Sequence, residues 1–328
     1  MQVDPQVPTG KMSVRNKFIA VLLPCYNEAT TIAAVISGFR RALPDASIFV
    51  YDNNSSDGTA DAAMAAGAIV RHEPYQGKGN VVRRMFADIE ADAYVLADGD
   101  LTYDSAAASQ LLNVLFTKNV DMVVGLRVGE CQAFRTGHRL GNQLFNWIVA
   151  RLFGDSFTDI LSGYRVMSRR FAKSFPASSS GFEIETELSI HALDLKLATV
   201  EIPLTYAERP ANSTSKLKTY RDGIRILGKI VLMYRALKPF QFYGAIALGL
   251  FVLSLALGTP IILTYFDTGL VPRFPTAILA ASIMQLSFMS FICGIIIEAI
   301  SAGRREQKRM RYLDLPAPNY GYLETGTR

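Results

Sequence analysis

Ser47-Ile48-Phe49-Val50-Tyr51 runs straight into Asp52-Asn53-Asn54-Ser55-Ser56-Asp57-Gly58-Thr59. The first five residues, rich in β-branched and aromatic side chains, predict a buried strand. The next eight are turn formers and helix N-caps, and the Ala-rich stretch through Ala66 predicts a helix. A strand that ends in a polar turn and feeds a helix is the unit of a parallel sheet. The unit recurs on both sides. Phe18–Leu23 (FIAVLL) predicts a strand ending at Pro24, and Thr30–Leu43 a helix with Ile32, Val35, Ile36 and Phe39 at helical spacing. Downstream come a strand at Ala68–Arg71, a helix opened by Gly77-Lys78-Gly79-Asn80 and running to about Ile89, and a strand at Ala93–Ala97 ending in Asp98-Gly99-Asp100. A helix at Ser105–Phe116 and a strand at Asp121–Gly125 follow. The alternation predicts an α/β, doubly wound, mostly parallel sheet with right-handed crossovers. Ligands bind such sheets beyond the carboxyl ends of the strands, and every polar, Gly-rich cluster just quoted lies at one.

The rest of the 328 residues is organised differently. Leu140–Leu152, with the only Trp (Trp147), and Glu183–Leu195 predict helices; Ala198–Ile202 predicts a strand. Phe240–Phe266 holds 27 residues without a charge, and Phe274–Ile297 another 24. About 20 apolar residues span a bilayer, so both predict transmembrane helices rather than the buried helices of a large soluble core. The expected organisation is a polar, disordered lead-in at 1–17, a catalytic domain at 18–215, basic juxtamembrane helices at 216–239, a two-helix transmembrane hairpin at 240–300 and a basic cytoplasmic tail at 301–328. A composition of 50% hydrophobic and 19% charged residues excludes disorder. Cys25, Cys131 and Cys293 form no cluster and read as buried thiols of a reducing compartment. The three histidines show no metal-ligand pairing.

The net charge of +5 is unevenly spread. Lys216–Lys238 and Arg304–Arg311 carry twelve of the 34 cations and two of the 29 anions, a net of +10; the remainder is −5. These basic segments flank the hairpin, whose loop Asp267–Arg273 holds one Arg and one Asp. The positive-inside rule then places the catalytic domain and both termini in the cytoplasm. Basic residues bordering the spans, without an aromatic-interleaved patch, argue against nucleic acid and for a membrane surface.

Asp98 and Asp100, at i and i+2 on a turn, can converge on one hard divalent cation and leave positions for phosphate oxygens; alone, the pair also suits an ordinary turn. Gly77-Lys78-Gly79-Asn80 suggests backbone N–H groups, a helix N-terminus and a point charge aimed at phosphate, with a plain loop as the alternative. Asp52 and Asp57 suit hydrogen bonds from a base or ribose, although Asp57 equally suits a helix cap. Pro24-Cys25-Tyr26-Asn27-Glu28 places an aromatic ring and a carboxylate where a nucleobase would stack and pair.

Together with Gly125-Leu126-Arg127, Asp159-Ile160-Leu161-Ser162-Gly163-Tyr164-Arg165, Phe182-Glu183 and Arg209 with Ser215-Lys216, these motifs resemble glycosyltransferase family 2 enzymes of the GT-A fold. More narrowly, the chain looks like the polyprenyl-phosphate glycosyltransferases, the dolichol-phosphate mannose synthases and bactoprenol glucosyltransferases. The resemblance covers about residues 18–240, and the two-span tail matches the bactoprenol glucosyltransferase layout. It implies inverting transfer of a sugar from a nucleotide sugar, UDP-glucose by overall layout, to undecaprenyl phosphate. Pro24, Tyr26, Glu28, Asp52, Asp57, Lys78 and Asp98 would hold the nucleotide sugar. Asp98 and Asp100 would hold Mg²⁺ or Mn²⁺. Arg127, Arg209 and Lys216 would hold phosphate; Asp98, Asp100, Arg127 and Asp159 would form the catalytic set. Relatives often have DxDxQ; here Thr102 stands in place of the Gln. The expected partners are the sugar nucleotide, the lipid phosphate, membrane lipid and a second copy of the chain. GDP-mannose or UDP-N-acetylhexosamine transfer is an alternative. So are a processive polysaccharide synthase, for which the QxxRW-type motif is missing, and a non-enzymatic membrane-anchored nucleotide-binding protein.

Overall fold

The computed structural model describes residues 17–128, 136–154, 157–207 and 219–318. The expected strands form: β1 (Ile19–Cys25), β2 (Ser47–Asp52), β3 (Ile69–His72), β4 (Ala93–Leu96), β5 (Met122–Val128) and β7 (Thr199–Thr205). One strand was not anticipated, β6 (Arg165–Ser168). The sheet order is β3-β2-β1-β4-β6-β5-β7. β1 to β4 are mutually parallel, β6 runs antiparallel to both β4 and β5, and β7 is parallel to β5. The strand order reverses at β1, which pairs β2 on one side and β4 on the other. The carboxyl ends of β2, β1 and β4 are therefore neighbours at a topological switch point. Because β6 is antiparallel, its amino end lies at that same edge of the sheet, between the carboxyl ends of β4 and β5.

β1 and β4 are buried on both faces, as their unbroken apolar runs require. Helices α1 (Ile32–Ala42), α2 (Thr59–Ala65), α3 (Lys78–Asp88) and α4 (Ala108–Thr117) connect the first five strands. α1 buries Ile32, Val35, Ile36 and Phe39. α4 buries Leu111, Leu112, Leu115 and Phe116, in one core with Val21, Leu23, Val50 and Val95. After β5 follow α5 (Thr136–Phe153), α6 (Arg169–Ser174), α7 (Ile184–Leu195), α8 (Thr219–Leu237), α9 (Pro239–Thr268) and α10 (Phe274–Leu313).

The chain divides into two compact units, Met1–Ile226 with Arg309–Arg328, and Leu227–Lys308. In the second, α9 and α10 are long and apolar enough to cross a membrane. Apart from Pro239 at its start, α9 buries Ala247, Ser254 and Ile261, and α10 buries Ala280, Ser287, Gly294 and Ser301. Both sets repeat every seven residues, so one narrow seam of mostly small residues lets the backbones approach. Ser254 donates to the Ala280 carbonyl at 2.8 Å and Ser287 to the Ala247 carbonyl at 2.7 Å. The outward faces carry exposed Leu248, Ile262, Phe288 and Met289, which suits lipid on those faces. Cys25 is buried as expected, but Cys293 is exposed on α10, because it faces away from the seam; Cys131 lies outside the described residues.

Candidate functional site

Asp98 and Asp100 follow β4, and the turn between them is built around close approach. A Cβ on Gly99 would lie 2.9 Å from Cys25 Sγ. The Thr31 hydroxyl donates to the Gly99 carbonyl at 2.6 Å, tying this turn to the Glu28 loop. Asp100 is buried and accepts from the Thr102 N–H at 3.1 Å and the Thr102 hydroxyl at 2.5 Å, both on Oδ1. The residue that departs from the DxDxQ pattern thus orients the second aspartate. Lys78 Nζ bridges Asp98 Oδ1 and Glu185 Oε1, the latter at 2.5 Å. Burial opposes the Lys78 charge, but the two carboxylates outweigh it and hold the ammonium well above its usual pKa. Glu185 is raised, first by its own burial and also by Asp98, with Lys78 opposing. Its Oε2 is buried without a hydrogen-bond partner among the described residues. Glu185 was not singled out in the sequence, where it reads as one polar residue of a helix; α7 carries it inward beside Lys78.

The local field is negative. The Cys25 thiol is pushed well up by burial and then by Glu28, Asp52, Asp98 and Asp100, which all surround it. Asp98 and Asp100 fit a hard divalent cation as two carboxylates at one strand end. Among the described residues no group of three or more His, Cys, Asp or Glu could hold an ion alone. That set suits an ion that keeps positions open for phosphate oxygens.

At the end of β2, Asp52 is buried. Its Oδ2 accepts from Ser55 N at 3.2 Å and lies 3.6 Å from His72 Nδ1. Its Oδ1 is buried without a hydrogen-bond partner among the described residues, as a carboxylate reserved for a ligand donor would be. Pro24 is the penultimate residue of β1, Tyr26 is exposed just past its end, and Glu28 is buried with its N–H given to Thr59 Oγ1 at 2.8 Å. Asp57 is engaged otherwise. Its Oδ2 accepts from Ala29 N at 3.0 Å, and its Oδ1 from Thr59 N at 3.1 Å and Thr59 Oγ1 at 2.5 Å. Burial opposes its charge, but these bonds hold the carboxyl below its usual pKa. Asp57 lies one residue before Gly58, the N-cap of α2, and its carboxylate ties the Ala29 loop to the first residue of that helix.

The glycine turn also departs from expectation. The N–H groups of Gly79 and Asn80 both point at the Ser180 carbonyl, at 3.0 and 3.3 Å, and that of Gly77 at Asn53 Oδ1, at 2.7 Å. They bind protein, so the backbone cradle for phosphate is corrected. The glycines are there for contact: a Cβ on Gly79 would sit 2.2 Å from the Ser179 carbonyl oxygen, and one on Gly77 2.1 Å from that of Ser180. Glu187 of α7 anchors the irregular segment opposite, accepting from Ser178 N at 2.9 Å and Ser179 N at 2.7 Å. Gly79→Ala is expected to lose about 1–3 kcal/mol of stability by overpacking. The gain of about 1 kcal/mol in helix propensity should not offset it. Chemical denaturation of the two proteins measures the difference.

Arg127, near the carboxyl end of β5, grips Asp159 with both prongs: Nε to Oδ2 at 2.6 Å and Nη2 to Oδ1 at 2.7 Å. Tyr206 lies under the guanidinium, 5.6 Å from Cζ to the ring centroid. Arg165, fully buried, donates to the carbonyls of Ser162 and Ile160 at 2.9 and 2.8 Å and holds the turn after Asp159. Burial lowers its guanidinium pKa to about 10. The structure thus brings Asp52, Lys78, Asp98, Asp100, Arg127 and Asp159 to one edge of the sheet. Arg209 and Lys216 lie outside the described residues.

Comparison with known proteins agrees with this geometry. The family model for glycosyl transferase family 2 matches residues 20–175. Glycosyltransferase AglJ of Haloferax volcanii is 32% identical over 301 residues, 90% of this chain and 98% of that protein. Undecaprenyl-phosphate mannosyltransferase of Micrococcus luteus is 23% identical over 58% of this chain and 84% of its own. A crystal structure of glucosyl-3-phosphoglycerate synthase from Mycobacterium tuberculosis, in complex with Mn²⁺, UDP-glucose and phosphoglyceric acid, superposes with a TM-score of 0.55. It is 26% identical and covers 66% of this chain and 80% of that one.

Proposed function

The chain belongs to glycosyltransferase family 2, a family of sugar-transferring enzymes, and from that premise we propose that it moves a hexose from a nucleotide sugar to a polyprenyl phosphate. The observation that carries the reading is the meeting of Asp98, Asp100 and Lys78 at the end of β4 with the unsatisfied Asp52 Oδ1 two strands away. One end of that edge suits a nucleoside; the other suits its diphosphate. UDP-glucose is the proposed donor, as in the mycobacterial complex. The proposed acceptor is undecaprenyl phosphate, the lipid in the name of the Micrococcus relative. The helices α9 and α10 would hold the enzyme in the membrane, with the site on the cytoplasmic face where both substrates meet.

The acceptor phosphate is largely dianionic at neutral pH, with a second pKa of about 6, so its oxygen needs little help from a base. That oxygen attacks the anomeric carbon as the bond to the nucleoside diphosphate breaks, on the opposite face, and the centre inverts. Asp98 and Asp100 would hold Mg²⁺ or Mn²⁺, which supplies charge neutralisation to the leaving diphosphate. Lys78 adds a fixed cation beside Asp98. Asp159 takes the Nε and Nη2 prongs of Arg127 and so fixes the direction in which this rigid, planar phosphate-binding group points. Arg209 and Lys216 are proposed to hold the lipid phosphate. Holding both reactants in one orientation replaces a rare encounter by a near-unimolecular step.

The test is a panel of nucleotide sugars with undecaprenyl phosphate and the full-length enzyme in detergent, reading lipid-linked product. UDP-glucose is expected to react best. Exhaustive chelation is expected to stop turnover, and Mn²⁺ or Mg²⁺ to restore it. No lipid-linked product from any donor would overturn the reading, and full activity after chelation would overturn the metal role.

A further inference from the structure

The Thr158-Asp159-Ile160 turn is held from two sides by residues that no motif singled out. From β7, the Glu201 carboxylate accepts the Thr158 N–H at 3.0 Å on each oxygen, the Thr158 hydroxyl at 2.6 Å and the Asp159 N–H at 3.2 Å. From α5, Asn146 Oδ1 accepts the Ile160 N–H at 3.2 Å, and Asn146 Nδ2 donates to the Thr158 carbonyl. Two side chains from distant parts of the sequence thus take four backbone groups on either side of Asp159. Water would satisfy the same groups, but would leave the turn free to shift. The carboxylate between them is the one that grips Arg127 at 2.6 and 2.7 Å.

We propose that Asn146 and Glu201 are positioning residues for sugar transfer, acting by pinning the turn that aims the Asp159–Arg127 pair. This rests on the functional reading above. It adds two residues whose hydrogen bonds go to the turn itself, one on a helix and one on the edge strand β7. Their chemistry suits the task. Glu201 offers only acceptors, and its two oxygens between them take three donors, Thr158 N, Thr158 Oγ1 and Asp159 N. Asn146 is one of the two side-chain types that both accept and donate through an amide, and the turn uses both functions. A misplacement of about 1 Å can cost about 10²-fold in rate, so a slack turn should show in turnover before it shows in binding.

The experiment uses the full-length enzyme in detergent with undecaprenyl phosphate and the donor found active. Glu201→Gln turns an amide donor toward backbone N–H groups. Asn146→Asp keeps the acceptor for Ile160 but sets a second oxygen against the Thr158 carbonyl. Each is expected to lower kcat by about 10- to 100-fold, with donor KM within about threefold and thermal unfolding still cooperative. In an Asp159→Asn background the same substitutions are expected to cost nothing further, because the group they aim is gone. That non-additivity is what a merely structural role would not produce. Turnover within twofold of the parent, or the same fold loss repeated on Asp159→Asn, would overturn the proposal. If Glu201→Gln does not fold, Asn146→Asp alone decides. A parent enzyme that transfers no sugar would instead overturn the functional reading, so the two failures are distinguishable.

Discussion

Asp100→Asn is expected to abolish sugar transfer, by at least about 10³-fold, while leaving the fold intact. Asn keeps an oxygen where Asp100 Oδ1 accepts from Thr102 N and Oγ1, so the turn retains its hydrogen bonds. What it loses is the charge, at a buried position. Removing a single preorganised electrostatic contact typically costs about 10²–10³-fold, and here the loss would also weaken the proposed Mg²⁺ or Mn²⁺ site. Turnover and thermal unfolding, measured side by side, separate the two effects: activity gone, melting little changed. Thr102→Val serves as the graded control. It removes the hydroxyl that orients Asp100 and keeps the N–H, so a smaller loss of about tenfold is expected, partly restored by raised Mn²⁺. If Asp100→Asn retained transfer, Asp100 would be a turn residue only.

Lys78→Met is expected to impair both stability and turnover. Nζ sits between Asp98 and Glu185, with its side chain 9% exposed and that of Glu185 6% exposed. Without it, Glu185 is a buried carboxylate facing a second one. Breaking a buried pair by removing one partner costs about 3–5 kcal/mol. The methionine fills the volume, so the loss reports charge rather than packing. Adding Glu185→Gln to Lys78→Met removes the stranded charge and is expected to recover most of the stability. It should not recover transfer, because the cation beside Asp98 is still absent. Chemical denaturation and the transfer assay together test this. Recovery of activity in the double variant would mean that Lys78 serves only to neutralise Glu185.

Much of the fold was legible along the chain. β1, β2 and β4 are apolar runs of a few residues closed by polar turns, and α1 and α4 carry their apolar positions at helical spacing. β6 was not legible: it begins with the buried Arg165, and a charge at that position breaks the apolar pattern by which strands are recognised. Asp52, Asp98 and Asp100 were found because they stand at strand ends. Glu185, Glu187, Asn146 and Glu201 were missed because each lies inside a helix or strand, where polar residues ordinarily face solvent.

The local sequence determined which segments become strands and helices, which turns follow them, and which two helices are apolar enough for a bilayer, since those properties depend on neighbours within a few residues. The tertiary structure decided the rest. Insertion of an antiparallel strand between β4 and β5 brings Asp159 and Arg127 to the edge that holds Asp98. The glycines of the Gly77–Asn80 turn contact the Ser179–Ser180 backbone rather than cradling phosphate through their N–H groups. Asp57 ties the Ala29 loop to the first residue of α2. Lys78 is committed to two carboxylates, one of them more than a hundred residues away. Each outcome is a competition among partners for the same donor or acceptor, and the winner is set by which groups the sheet order brings within about 3 Å.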